Sequence, residues 1–181
     1  MKTFDSIATT AGLILLVGCA SAPTVARLGP VGPSPANVAT DSDLGSLQVY
    51  SACEKSGDRP ELIQWEWDYP WNRSAFTHGV AHTDYIIRTA EGTTLQYVRN
   101  ASTFSDPTPA VVSLPPGHYN LEADAEDADG RTAPVLLQVL IEPGKTTVAH
   151  LTGNWQPRRP FTDNEIVRLP DGQIAGWLAA H

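Results

Sequence analysis

The chain has few cysteines, few basic residues and no long apolar run. Cys19 and Cys53 are the only 2 cysteines in 181 residues, which excludes a framework of several disulfides. The 12 Lys and Arg residues stand against 20 Asp and Glu residues, a formal net charge of -8, and no basic cluster reverses this balance locally. Because an acidic chain repels phosphate backbones, we do not expect nucleic acid as a partner.

The apolar run near the N-terminus is too short for a membrane-spanning helix. It covers residues 13–17 behind a basic start at Lys2, whereas a span takes about 20 apolar residues. This arrangement is typical of a secretory signal peptide, predicted here over residues 1–18. The run ends in LVGC, which resembles the lipobox of bacterial lipoproteins. The resemblance implies cleavage before Cys19 and attachment of acyl chains such as palmitate to that residue.

A lipid on Cys19 would hold the protein at a membrane surface, because several acyl chains anchor stably where one does not. Ala20 stands where, in the enterobacterial sorting rule, an aspartate favours retention in the inner membrane. The resemblance therefore implies the cell envelope, at an outer membrane, facing the periplasm or the cell surface. With Cys19 acylated, Cys53 has no partner within the chain, and we predict a buried thiol; a reactive thiol or an intermolecular bridge is the alternative.

Composition divides the rest of the chain into three parts. Residues 19–44 are rich in Pro, Gly and small residues without an apolar period, which predicts a disordered tether. A single domain is expected over residues 45–155. In the tail, residues 156–181, the Asp171-Gly172 pair predicts a terminal hairpin with strands at 165–169 and 173–177. We expect the hairpin to pack on the domain or extend it; a partner-binding arm is the alternative.

Period-two alternation recurs along the domain and helical periodicity is absent, which predicts an all-β fold. Strands are expected at residues 46–53, in a hairpin at 84–100 that turns at Glu91-Gly92, and through 111–151. We predict a single antiparallel β-sandwich of the prealbumin-like or Ig-like kind. Its clearest inward-facing rows are Tyr119, Leu121, Ala123, Ala125, then Val135, Leu137, Val139, Ile141, then Thr147, Ala149, Leu151.

Two motifs in the last of these segments resemble a known family. LPPGHYNLEA and IEPGKTTVAHL are similar to carboxypeptidase regulatory-like, transthyretin-like and PEGA-type domains, whose chains run LPPGxYxVxA and VxxGxTTxVxL. The likeness covers residues 108–151. It implies a compact antiparallel β-sandwich, usually a non-catalytic accessory in cell-envelope and secreted proteins. The hairpin at 84–100 and the closing GQIAGW are also similar to uncharacterised bacterial lipoproteins of this kind.

The stretch IQWEWDYPW carries aromatic residues at alternate positions, Trp65, Trp67, Tyr69 and Trp71. In a strand, predicted over 62–69, alternate residues share one face about 6.6 Å apart, a spacing that suits an extended glycan or peptide. Several exposed rings would form an apolar patch of a size that monomers rarely tolerate without a function. We therefore interpret most of the row as core, with a ligand-binding surface as the alternative.

The sequence contains no clear signature of a metal site. The β context does not group the possible ligands, so we predict no metal site. Asp127 and Asp129 suggest a calcium loop, but an EF-hand with Gly130 at its sixth position would need carboxylates at Ala125 and Leu136. A hairpin turn with solvated carboxylates is the preferred interpretation. The metal ligands considered are His78, His82, Asp84, His118 and His150.

The chain contains no G-x-S-x-G elbow, no H-E-x-x-H and no Gly-rich phosphate loop, so we predict neither an enzyme nor a cofactor. We expect a non-enzymatic, membrane-anchored lipoprotein of the cell envelope whose β-sandwich acts as a structural or protein-interaction module, with an envelope protein as partner. A glycan-binding module that uses the row from Trp65 to Trp71, with a polysaccharide as partner, is the alternative.

Overall fold

The structure is a computed structural model that describes residues 25–53, 82–100, 108–153 and 155–179. These residues form ten β-strands and one short 3-10 turn, with no α-helix among them. The predicted all-β class is therefore confirmed. None of the described residues belongs to a helix long and apolar enough to cross a membrane. The predicted signal peptide and the strand predicted over 62–69 lie outside the described residues.

The strands form a large sheet and a small sheet. The three strands of the small sheet are β2 (Gly45–Tyr50), β5 (Val111–Leu114) and β8 (Thr146–His150), in the order β5-β2-β8. The large sheet has seven strands, in the order β4-β3-β6-β7-β1-β10-β9. Its strands are β1 (Ala26–Gly32), β3 (Tyr85–Thr89), β4 (Thr94–Val98), β6 (Gly117–Glu126), β7 (Thr132–Ile141), β9 (Ile166–Arg168) and β10 (Ile174–Leu178).

The core lies between the two sheets and contains the alternate residues that the sequence pattern predicts. β6 and β7 pair along their whole length, so that Leu121 lies opposite Leu137 and Tyr119 opposite Val139. The predicted inward residues of β7 and β8 are buried, as are Leu47 and Val49 of β2, and Tyr119 at the start of the β6 row is half-buried. The fully buried side chains of the core include Leu47, Val49, Leu121, Leu137, Val139, Ala149 and Leu151.

The predicted turns also occur, and one of them has a role that the pattern does not reveal. Gly92 lies in the turn between β3 and β4 with φ 90°, a conformation that favours glycine. The turn at Pro116-Gly117 joins β5, which belongs to the small sheet, to β6, which belongs to the large one. The hydroxyl of Tyr119 donates to the carbonyl of Pro115 at 2.9 Å and ties this turn to β6. The turn therefore carries the chain from one layer of the sandwich to the other.

The prediction of a disordered tether over residues 19–44 is wrong for residues 26–32. This segment is β1, an interior strand of the large sheet that pairs with both β7 and β10. Val31 is 0% exposed and belongs to the core. The register of β1 shifts between Leu28 and Val31, across Gly29 and Pro30. This irregularity breaks the period-two pattern, so the strand resembles a Pro- and Gly-containing linker when the sequence is read alone.

The sheets are mixed rather than purely antiparallel. β1 runs parallel to β7, and β2 runs parallel to β8, whereas the other described strand pairs are antiparallel. A parallel pair needs a long connection, and both pairs join strands that are distant in the chain. Period-two alternation looks the same in either direction, so it could not separate the two arrangements.

The predicted C-terminal hairpin is confirmed and extends the large sheet. β9 and β10 pair with each other around a turn at Gly172, which has φ 91°, and β10 pairs with β1. Both faces of the hairpin are buried. Val167, Leu169 and Ala175 join the main core on one face. On the other face, a second apolar cluster consists of Ile166, Ile174 and Trp177 with the partly buried Trp155 and Phe161.

Because β1 is a structural strand, we predict that Val31→Ala destabilises the fold. The substitution removes two buried methyl groups, for an expected loss of about 2 kcal/mol in the free energy of unfolding measured by urea denaturation. Val38 is 88% exposed, so Val38→Ala serves as the matched control with a change within about 0.5 kcal/mol. Equal effects of the two substitutions would contradict the placement of β1 in the core.

Candidate binding cleft

The site residues predicted from the sequence lie outside the described ranges. This applies to Cys19 and to the aromatic row of Trp65, Trp67, Tyr69 and Trp71. Another group of aromatic side chains is described, and it gathers on the outer face of the small sheet. Its geometry defines a candidate binding site that we did not predict from the sequence.

The group is built on two adjacent strands of the small sheet. Tyr50 at the end of β2 and His150 at the end of β8 are direct partners in the parallel register. Both occupy outward positions of their strands, so their rings meet, with centroids 4.9 Å apart and planes 15° apart. Trp155, just beyond β8, stacks on His150 at 4.2 Å and 9°. The imidazole of His150 therefore lies between two aromatic rings.

Three more side chains continue this stack at its two ends. His82 meets Tyr50 in an edge contact at 5.5 Å and 89°. Trp177 on β10 meets Trp155 in an edge contact at 6.4 Å and 85°. The guanidinium of Arg159 lies 4.2 Å from the centre of the Trp177 ring, a cation-π contact. We call the five stacked or edge-on rings the aromatic ladder: His82, Tyr50, His150, Trp155 and Trp177.

The aromatic ladder is uncharged at its centre. Burial between the rings of Tyr50 and Trp155 lowers the pKa of His150 to about 4 from its ordinary value of 6.5, because the imidazolium would lose its solvation there. At neutral pH His150 is therefore a neutral imidazole that contributes stacking rather than charge.

Beside the ladder lies an open cleft of about 680 Å³, which we call the binding cleft. Its floor is the outer face of β2 and β8, including Tyr50, Val148 and His150. One wall comes from residues 34–37, between β1 and β2, and the other from residues 155–159, beyond β8. The cleft thus exists only where the small sheet, the link from β1 and the start of the tail come together.

The charged side chains among the described lining residues are two arginines. Arg159 donates to a carboxylate oxygen of Glu165 at 2.7 Å. That bond, together with the backbone N–H of Thr162, lowers the pKa of Glu165 to about 2. Arg158 is exposed and makes no hydrogen bond or ion pair with any described residue. Among the described residues, the cleft therefore holds one cation with a partner, Arg159, and one without, Arg158.

A buried polar network supports the end of β2, where Tyr50 begins the ladder. The Nδ1 atom of His82 lies 2.7 Å from the carbonyl oxygen of Ser51, and Asn100 donates to the Ser51 hydroxyl at 2.9 Å. That hydroxyl donates to the carbonyl of Thr83 at 2.6 Å. Since Ser51 bonds a carbonyl rather than the imidazole, His82 and Ser51 do not form a nucleophile and base pair. The network holds the ladder in place.

The described candidates for metal binding are engaged in other contacts or lie apart. Asp84 accepts the hydroxyl of Tyr97 at 2.8 Å and the backbone N–H of Asn100 at 2.9 Å. His118 is exposed on β6, His150 is enclosed in the ladder, and His78 lies outside the described ranges. Within the described part of the chain, no group of three or more His, Cys, Asp or Glu side chains could hold a metal ion.

The two aspartates considered for calcium shape a turn. One oxygen of Asp127 accepts the backbone N–H groups of Asp129 at 2.9 Å and Arg131 at 2.8 Å. Asp129 pairs with the guanidinium of Arg131 at 3.0 Å. These contacts are those of the hairpin turn that the sequence favours between β6 and β7.

Cys53 is half-buried and free, rather than fully buried as predicted. Its sulfur lies 3.7 Å from the hydroxyl of Thr152, and its backbone N–H donates to a carboxylate oxygen of Glu126 at 3.1 Å. Burial raises the pKa of the thiol, which keeps it protonated at neutral pH. A protonated thiol is a poor nucleophile, which disfavours the alternative of a reactive cysteine.

The sequence contains one indication of the ladder, which period-two alternation alone does not reveal. Tyr50 and His150 occupy outward positions of strands, where polar side chains are usual, and Trp155 lies four positions beyond Leu151, where the last predicted inward row ends. Large rings at outward positions of two strands indicate a surface with something to pack against. That these strands are neighbours could not be inferred, because their pairing is parallel and non-local.

No family model matches this chain, and comparisons with curated proteins and with solved structures give no match. The resemblance of residues 108–151 to carboxypeptidase regulatory-like and transthyretin-like domains therefore stays a prediction.

The stacked, neutral His150 should make stability depend on pH. The folded pKa is about 4 and the ordinary value is 6.5, so the unfolded chain binds the proton more readily. The contribution is fully present above pH 6.5 and is lost as the pH falls toward 4. Between about pH 7 and pH 5 we expect a loss of about 2 kcal/mol in the free energy of unfolding.

The test compares urea unfolding of the native chain with that of His150→Phe, which keeps a ring and removes the titration. The free energy of unfolding of the native chain, minus that of His150→Phe, should fall by about 2 kcal/mol between pH 7 and pH 5. His118→Gln is the matched control, because His118 is exposed, and its pH profile should follow that of the native chain. A His150→Phe profile parallel to the native one would refute the assignment.

Proposed function

We propose that this protein is a non-enzymatic, membrane-anchored lipoprotein of the cell envelope whose β-sandwich acts as a protein-interaction module. The observation that carries the proposal is the binding cleft, in which Tyr50 and Trp155 lie beside an arginine without a partner among the described residues, Arg158. Tyr, Trp and Arg are enriched at protein interfaces and among the residues that dominate their binding energy. The cleft offers these three residue types on one solvent-facing surface.

The LVGC motif at residues 16–19 supports the anchor. β1 begins at Ala26, seven residues after Cys19, since 26 − 19 = 7. At about 3.4 Å per residue, a chain of this length reaches about 24 Å at most. An acylated Cys19 would therefore hold the sandwich close to the membrane surface. A protein located at that same surface would then lie within reach of the cleft.

The family resemblance supports the same role. Carboxypeptidase regulatory-like and transthyretin-like domains are usually accessories without catalytic function, and the two-sheet architecture of this chain is compatible with them. The glycan-binding alternative depends on Trp65, Trp67, Tyr69 and Trp71, which lie outside the described residues. No observation on the described residues favours it.

We predict that Cys19→Ser abolishes lipid attachment. In cells grown with a labelled fatty acid, the native chain should carry the label and sediment with the membrane fraction. Cys19→Ser should lose the label and leave that fraction, because its thioether-forming sulfur is gone. Cys53→Ser is the matched control and should stay labelled. An unlabelled native chain would exclude the anchor.

We also predict that a partner protein contacts the cleft. A photoreactive amino acid at Gln48, in the cleft, should form covalent adducts with envelope proteins upon irradiation of cells. The same amino acid at Gln138, exposed on β7 of the large sheet, is the matched control and should form few. The interaction role fails if neither position forms adducts, or if both form the same ones.

A further inference from the structure

The charge of the binding cleft is opposite to that of the chain. The protein has a formal net charge of -8. A second cleft, of about 590 Å³ on the large sheet, is acidic like the chain as a whole. Its lining includes Asp84, Glu122 and Asp124 beside a single Arg27. In the binding cleft, the described lining contains Arg158 and Arg159 and no Asp or Glu. The two clefts therefore present different charges to a ligand.

The two arginines of the binding cleft have different roles. Arg159 is held by Glu165 at 2.7 Å and by the face of Trp177 at 4.2 Å, so its position is fixed by the fold. Arg158 is exposed and has no such partner among the described residues. A guanidinium is a planar fork of N–H donors that matches the two oxygens of a carboxylate. No described residue occupies these donors of Arg158, which suits the side chain to an anionic group from outside the described part of the chain.

The arrangement of the rings favours a peptide over a sugar. His150 is covered on both faces, and Tyr50 and Trp155 each turn one face to it. A sugar that binds by stacking needs an open ring face, and these contacts leave few of them. Ring edges carry partial positive charge and attract carbonyl and carboxylate oxygens. The side-chain amides of Gln48 and Gln156 add donors and acceptors that suit a peptide backbone, of which one N–H of Gln48 already donates to the carbonyl of Pro109 at 3.4 Å.

We infer that the binding cleft takes an acidic peptide segment of a partner protein, whose carboxylates pair with Arg158 beside the aromatic ladder. The inference rests on the proposed interaction role and adds the chemistry of the partner. Arg159, whose charge is balanced by Glu165, borders the cleft at a fixed position, while Arg158 makes the direct contact. The acidic surface elsewhere on the chain would repel such a segment and so direct it to the cleft.

The test uses the full chain, produced in a bacterial envelope and purified in detergent, and two labelled peptides. One peptide alternates Glu with Ala over about ten residues, and the other has Gln in place of each Glu. Fluorescence anisotropy should show binding of the Glu peptide alone, weakening as salt is added. Tryptophan emission should also change on binding. The part of the change that comes from Trp155 is the part that is absent in Trp155→Phe.

The decisive variant is Arg158→Glu, for which we expect at least a tenfold weaker affinity, a change of about 1.4 kcal/mol. Arg131→Glu makes the same change of charge at an exposed turn residue that does not line the cleft, and it should bind as the native chain does. Urea unfolding of both variants checks that each is folded. Equal weakening in the two variants would show a general charge effect and overturn the inference.

Other results also separate the possibilities. Equal binding of the Gln peptide, or no binding of the Glu peptide, overturns the inference. Binding of polygalacturonate that is lost in Arg158→Glu, without peptide binding, would identify an acidic glycan instead. If Gln48 forms adducts with envelope proteins while the Glu peptide fails to bind, the interaction role stands and only the acidic chemistry is wrong. If both tests fail, the interaction role fails as well.

Discussion

The pairing of β1 with strands on both of its sides is the constraint on which the rest of the structure depends. Through β7, β1 connects to the strands of the central segment, and through β10 it connects to the C-terminal hairpin. Without β1, the large sheet would divide into β4-β3-β6-β7 and β10-β9. A segment that begins seven residues after Cys19 thus holds the C-terminal hairpin against the domain, since 26 − 19 = 7.

The binding cleft depends on the pairing of β1 with β10 through a series of side-chain contacts. β10 carries Trp177, which contacts Trp155 by an edge and Arg159 by its ring. Trp155 in turn stacks on His150 of the small sheet. The ladder therefore joins the outer face of one sheet to the second apolar cluster on the other. The arginines of the cleft, Arg158 and Arg159, come three and four positions after Trp155 in the chain, so their placement follows from how the tail packs.

The energetics of the ladder explain why a histidine can stand between two rings. Stacking removes the imidazole from water, and the neutral form loses much less on burial than the charged form does. The lowered pKa of His150 is the sign of that preference. A charged side chain at this position would weaken the contact. Arg158, by contrast, is exposed to water and keeps its charge at little cost.

A large part of the fold could be predicted because its local rules are simple. The alternation of Leu121, Ala123 and Ala125 with acidic residues specifies which side of β6 is buried, and the glycines of the turns at Gly92 and Gly172 mark where hairpins reverse. Such patterns depend on neighbours within a few positions. They missed β1, since the irregularity at Gly29 and Pro30 removes the alternation that identifies a strand.

By itself, the sequence determined the all-β class, the inward rows, the turns and the C-terminal hairpin, because side-chain alternation and backbone conformation are properties of short segments. Only the tertiary structure decided that β1 is an interior strand, that two strand pairs are parallel, and that Tyr50, His150 and Trp155 stack. These features join residues that are far apart in the chain. Their contacts depend on which strands become neighbours, and alternation carries no information about that choice.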